Sequence, residues 1–170
     1  MTLKTFGIIL VILSCAGAGF LMAANYRLEE KSLKQLVRIL DYMVSELQCR
    51  LTAFPELCRQ ISREFDGIPG RVLGELSIEM DSQISPDVKC CMQTVLARKK
   101  DMPPITRKML ETLSRSAGRF DLNGQIKNLE SVRFECNRNI ELLENNKDAR
   151  LRSYQTLGLC AGAALAILLI

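Results

Sequence analysis

The chain has 170 residues, 48% hydrophobic and 25% charged, and a net charge of +4. That length suits a single domain. The absence of histidine removes the commonest acid–base group and the commonest metal ligand. A weakly basic chain without tryptophan is poorly equipped to hold nucleic acid, and none is expected as a partner.

Residues 1–4 form a short basic head, read as an outer N-terminus. No residue from Thr5 to Tyr26 is charged. A helix of about 20 residues crosses a hydrocarbon core of roughly 30 Å, so residues 5–26 are expected to form a first transmembrane helix. Ile12-Leu13-Ser14-Cys15 loosely resembles a lipoprotein cleavage box. The bulky Leu13 and the apolar residues continuing past Cys15 argue against a cleaved signal.

Residues 27–152 read as an all-helical body. The first helix leaves the span and carries an apolar stripe of Leu33, Leu36, Val37, Leu40, Met43, Val44 and Leu47. It breaks between Leu51 and Pro55. Pro55 suits the first turn of a second helix, which runs to about Phe65 with Leu57 and Ile61 inward. Asp66-Gly67-Ile68-Pro69-Gly70 reads as a turn. A third helix with Val72, Leu73, Leu76 and Met80 follows, closed by Ser85-Pro86. A fourth runs from Asp87 to about Lys100, with Val88, Cys91, Met92 and Val95 inward. Met102-Pro103-Pro104 breaks the chain again.

A fifth helix, from Ile105 to about Ser116, buries Met109, Leu110 and Leu113. Gly118 is a natural stop and Asp121 a natural cap for the next helix. That last helix runs from near Gln125 without proline or glycine to Leu157. Its apolar set is Leu122, Ile126, Leu129, Val132, Phe134, Cys136, Ile140 and Leu143. No stretch alternates with a period of two, so no sheet is expected. The fold class is all-α: a compact bundle of about six helices flanked by N- and C-terminal transmembrane helices.

Residues 153–170 carry no charge and are expected to form the second transmembrane helix. Its strictly apolar part is Leu157 to Ile170, with Tyr154 and Gln155 at headgroup level. The alternative is a buried terminal helix of a soluble protein, but residues 27–152 are a small body to bury two such helices. Cys15, Gly19 and Ala23 repeat every four residues on the first run, and Gly158, Gly162 and Ala166 on the second. Small residues at that spacing let membrane helices pack closely.

Basic residues beside the spans set orientation. Arg27, Lys31, Lys34, Arg38, Lys147, Arg150 and Arg152 all lie on the body side, against Lys4 alone outside. The body is therefore expected in the cytoplasm, with both termini outside the cell membrane.

No catalytic, cofactor-binding or metal constellation is present. Gly67-Ile68-Pro69-Gly70 lacks the lysine and hydroxyl of a phosphate-binding loop. Seven cysteines without tight spacing, Cys90-Cys91 included, read as free, partly buried thiols in a reducing compartment rather than a disulfide framework, zinc site or redox pair. Glu29 and Glu30 beside Lys31 and Lys34 read as a solvated face, as do Glu141 and Glu144. Arg98-Lys99-Lys100 is the strongest basic cluster, joined in kind by Arg115 and Arg119. Each is either a solvated helix end or a contact for lipid or an acidic protein.

The arrangement resembles the stage III sporulation protein AB family. The likeness is carried by Tyr154, Leu157, Gly158, Leu159, Ala161, Gly162 and the run to Ile170. The opening carries it too, with Lys4, Gly7, Tyr26 and Arg27, as do Leu110, Leu113, Gly118, Asp121 and Gln125 before the long helix. The chain departs from the family pattern at Thr52-Ala53-Phe54-Pro55 and at Ala117-Gly118. The resemblance implies a non-enzymatic subunit of the channel between mother cell and forespore in endospore-forming bacteria. It also implies a body like the helical cytoplasmic domain of type II secretion and type IV pilus platform proteins. The implied partners are the channel's cytoplasmic ATPase, its other membrane components and membrane lipid, in the mother-cell membrane. The alternative function is a helical membrane adaptor that recruits a regulatory or division protein.

Overall fold

The structure is a computed structural model. It describes the backbone of residues 2–82, 87–117 and 122–169, and the side chains of residues 21, 24–82, 87–115, 117 and 122–145. Six helices follow in order: α1 (Thr2–Arg50), α2 (Phe54–Glu64), α3 (Ile68–Asp81), α4 (Val88–Arg98), α5 (Pro104–Ser116) and α6 (Leu122–Leu169). No strand occurs among the described residues.

The chain divides into two compact units. One joins the chain ends, Met1–Leu28 and Leu142–Ile170; the other is the body, Glu29–Glu141. In the first, the Tyr26 hydroxyl donates to the carbonyl of Leu143 at 2.7 Å, so the two long helices meet there through a polar bond.

The body is an all-α bundle in which sequential helices are spatial neighbours: α2 packs on α3, α3 on α4 and α4 on α5. Its core follows the expected stripes. α1 contributes Leu33, Leu36, Ile39, Leu40, Met43 and Leu47, α2 Leu57, Cys58 and Ile61, and α3 Val72, Leu73 and Leu76. Cys91, Met92, Val95 and Leu96 come from α4, Met109, Leu110 and Leu113 from α5, and Leu129, Val132, Cys136 and Ile140 from α6. Each large side chain withdrawn from water stabilises the fold by about 1.5–3 kcal/mol, an upper figure because a compact unfolded chain already hides some of that surface.

Several expectations change. Phe134 is 72% exposed and not part of the core. It lies two residues from both Val132 and Cys136, so with 3.6 residues per turn it points to the opposite side of α6. Leu122 is also exposed, Ile126 half-buried, and Val37, Val44, Met80 and Val88 only half-buried. The turn after α2 is shorter than expected, because Ile68, Pro69 and Gly70 already form the first turn of α3.

Glu29, expected on a solvated face, is only 5% exposed. It accepts from the Thr106 amide at 2.8 Å, the Thr106 hydroxyl at 2.9 Å and the Ile105 amide at 3.3 Å. It thereby caps α5, whose own N-cap position is Pro103 and offers no side-chain acceptor. Ser85, Pro86, Gly118 and Asp121 lie outside the described residues.

Two glycines shape the α2–α3 corner. Gly67 has φ +108°, a conformation L side chains rarely adopt. A Cβ on Gly70 would run into the backbone carbonyl of Phe65.

Candidate functional site

Of the predicted basic residues, Arg98, Lys99 and Lys100 share one feature of the body. They line a groove of about 300 Å³ together with Ile68, Arg71, Val72, Asp101 and Met102. The N-terminal turn of α3 forms one wall, and the end of α4 with the following loop forms the other. Pro103 and Pro104 dictate this loop: the residue before a proline avoids helical geometry, so α4 cannot continue into α5. Lys99 ends α4 with φ −108° and ψ 72°, its N–H bonded to the carbonyl of Leu96. The Arg107 guanidinium donates to the Lys99 carbonyl, which ties the loop to α5.

The groove has an apolar base and a charged rim. Val72 is 1% exposed and Met102 8%, while Ile68 is half-buried. Arg98 pairs with Glu79 at 3.2 Å and Lys99 with Glu75 at 2.5 Å, so two of the cations are held against α3. Arg71 donates from Nε to the carbonyl of Gly67 at 3.3 Å. Neither Arg71 nor Lys100 has a carboxylate partner within 4.0 Å among the described residues.

Arg115 does not join this groove. It is exposed in the last turn of α5, where a cation suits the helix dipole. Arg119 lies outside the described residues, as do the side chains of Cys15, Gly19, Ala23, Gly158, Gly162 and Ala166. Among the described residues no helix is long and apolar enough to cross a membrane; most side chains of the runs 5–26 and 153–170 fall outside that set.

Sequence reading missed Arg71, because it stands apart from the basic run. The signal was available: Arg71 follows directly on the Gly67–Gly70 corner, which folds the start of α3 against other elements. It also missed Arg59, which pairs with Glu56 at 2.5 Å and Asp81 at 2.6 Å and ties α2 to the far end of α3. Hydrogen bonding to Asp81, helped by the charges of Asp81 and Glu56, raises the Arg59 pKa.

The thiols sort by burial. Cys58, Cys91 and Cys136 are buried, whereas Cys49 and Cys90 are exposed. Burial pushes Cys58 and Cys136 up to about 12 and raises Cys91 as well, so none of the three is a nucleophile at neutral pH. No group of three or more Cys, Asp or Glu suited to a metal ion occurs among the described residues.

The family model for stage III sporulation protein AB (spore_III_AB) matches residues 4–170. No curated protein and no solved structure matches the chain.

Proposed function

The chain belongs to the stage III sporulation protein AB family, and we propose that it serves as a platform subunit of the channel between mother cell and forespore. Its role is sporulation-related, membrane-associated and non-enzymatic. The platform couples a cytoplasmic ATPase to the membrane components of the channel. The observation that carries this reading is the extent of the family match, which takes in both apolar ends and the whole helical body. The body supports it by offering a bundle with a charged groove and three buried thiols, Cys58, Cys91 and Cys136, that burial leaves unreactive.

In this reading residues 5–26 and 153–170 span the mother-cell membrane around the forespore, and residues 27–152 face the cytoplasm. The test is purification of the tagged full-length chain in detergent from sporulating cells. Co-purification of a cytoplasmic ATPase is the expected result. A regulatory or division protein in its place would move the chain to the adaptor role.

A further inference from the structure

We infer that the groove between the start of α3 and the α4–α5 loop docks a partner segment in which carboxylates stand next to an aliphatic side chain. The inference rests on the chain's being a platform for other proteins, and it specifies the chemistry that the platform reads. Three observations carry it.

The first is the charge left over on the rim. Glu79 and Glu75 hold Arg98 and Lys99 at 3.2 and 2.5 Å, which leaves Arg71 and Lys100 as the rim cations with no carboxylate partner among the described residues. Both are exposed. Arg71 spends only its Nε on the protein, at the Gly67 carbonyl, and no described group accepts from Nη1 or Nη2. A guanidinium with its terminal nitrogens unspent is a two-pronged donor matched to a carboxylate.

The second is the base. Val72 and Met102 are almost fully buried and Ile68 is half-buried, so an aliphatic side chain entering the groove meets apolar surface. A volume of about 300 Å³ admits a few side chains but no folded element.

The third decides between a peptide and a membrane surface. Asp101, Glu75 and Glu79 stand among the cations. A lipid surface presents negative charge over its whole area and is attracted by uninterrupted basic patches. With Arg98 and Lys99 neutralised by Glu79 and Glu75 and with Asp101 on the rim, no continuous basic patch remains, and the groove instead selects a partner whose acidic groups are spaced to meet Arg71 and Lys100.

The experiment uses the full-length chain in neutral detergent. Binding of fluorescent peptides is followed by anisotropy: one with glutamates flanked by leucines, one with glutamines in place of the glutamates, and one with alanines in place of the leucines. The Glu–Leu peptide is expected to bind, and both controls to bind more weakly. Arg71→Glu with Lys100→Glu is expected to lower affinity roughly tenfold or more, the scale of one lost charge-assisted hydrogen bond. Both positions are exposed, so unchanged circular dichroism and melting are expected. Arg71→Gln with Lys100→Gln is the milder second variant, which must also bind more weakly.

Equal binding of the Glu–Leu and Gln–Leu peptides, or binding untouched by both variants, overturns the inference. So does binding to phosphatidylglycerol vesicles that depends on Arg71 and Lys100 while the peptides do not bind, since that makes the groove a lipid site. The platform reading falls separately: it fails if no ATPase co-purifies even though the peptide binds, and it stands if the ATPase co-purifies with a chain that ignores the peptide.

Discussion

Glu29 shows what a single residue can hide in a sequence. Its neighbours Glu30, Lys31 and Lys34 suggest a solvated face, and Glu30 does pair with Lys34 at 2.8 Å. Its real partner, Thr106, is 77 residues away, so no local pattern could reveal it. Replacing Glu29 with alanine removes three hydrogen bonds and leaves the Ile105 and Thr106 donors without an acceptor. The expected loss is about 1–3 kcal/mol, read from denaturant unfolding of the full chain. Glu29→Gln keeps one acceptor oxygen and should lose less.

The thiols give a second prediction at this scale. Burial raises Cys58 and Cys136 from an ordinary 9.0 to about 12. In the folded state both keep their protons where the unfolded chain has begun to lose them. Between about pH 9 and 12 the native state therefore binds more protons, and stability falls as pH rises through that window. Tyr42, raised chiefly by burial and then by Glu46 and Glu64, adds in the same direction. The denaturant midpoint of Cys58→Ala should consequently fall less steeply with alkaline pH than that of the wild type. An equal slope in both proteins would show that Cys58 ionises at its ordinary value in the folded state as well.

Among the elements, the corner between α2 and α3 carries the tightest constraint. α2 ends at Glu64 and α3 begins at Ile68, so the reversal has three residues in which to turn. Gly67 supplies the positive φ, and Gly70 lets the first turn of α3 approach the Phe65 carbonyl. A methyl at Gly70 meets backbone, not a flexible side chain, and cannot be accommodated by a rotamer change. Gly70→Ala is expected to destabilise the chain by about 1–3 kcal/mol, the cost typical of forcing extra atoms into a packed site. It should also displace Arg71 and thereby weaken the groove. A melting temperature equal to wild type would overturn the first expectation.

The same corner shows how far the elements were legible. Gly67 and Pro69 announce a turn, and the periodic apolar residues announce the helices on both sides. What the pattern leaves open is where a turn gives way to a helix, because Ile68-Pro69-Gly70 is as good a first helical turn as it is a loop. Phe134 differs for another reason: the apolar residues of this long helix drift round its face, and burial follows angle, which turns Phe134 away from Val132 and Cys136. The groove was half legible. The run Arg98–Lys100 stands out in the sequence, but Arg71 joins it only through the packing of α3 on α4.

For the molecule as a whole, the decisive property is the side of the membrane on which the body lies. The sequence places Arg27, Lys31, Lys34, Arg38, Lys147, Arg150 and Arg152 on the body side of its two apolar runs, and the proposed cytoplasmic body rests on the bias of such residues toward that side. The structure provides natural reporters, because Cys49 and Cys90 are exposed on the body while Cys58, Cys91 and Cys136 are buried. A membrane-impermeant thiol reagent added to intact cells should leave Cys49 and Cys90 unmodified. After permeabilisation both should react, and the three buried thiols should still resist, as peptide mass spectrometry can resolve. The buried set calibrates the reading, since its protection after permeabilisation shows that the bundle stayed folded. Modification of Cys49 and Cys90 in intact cells would put the body outside, and a cytoplasmic ATPase could then no longer be its direct partner.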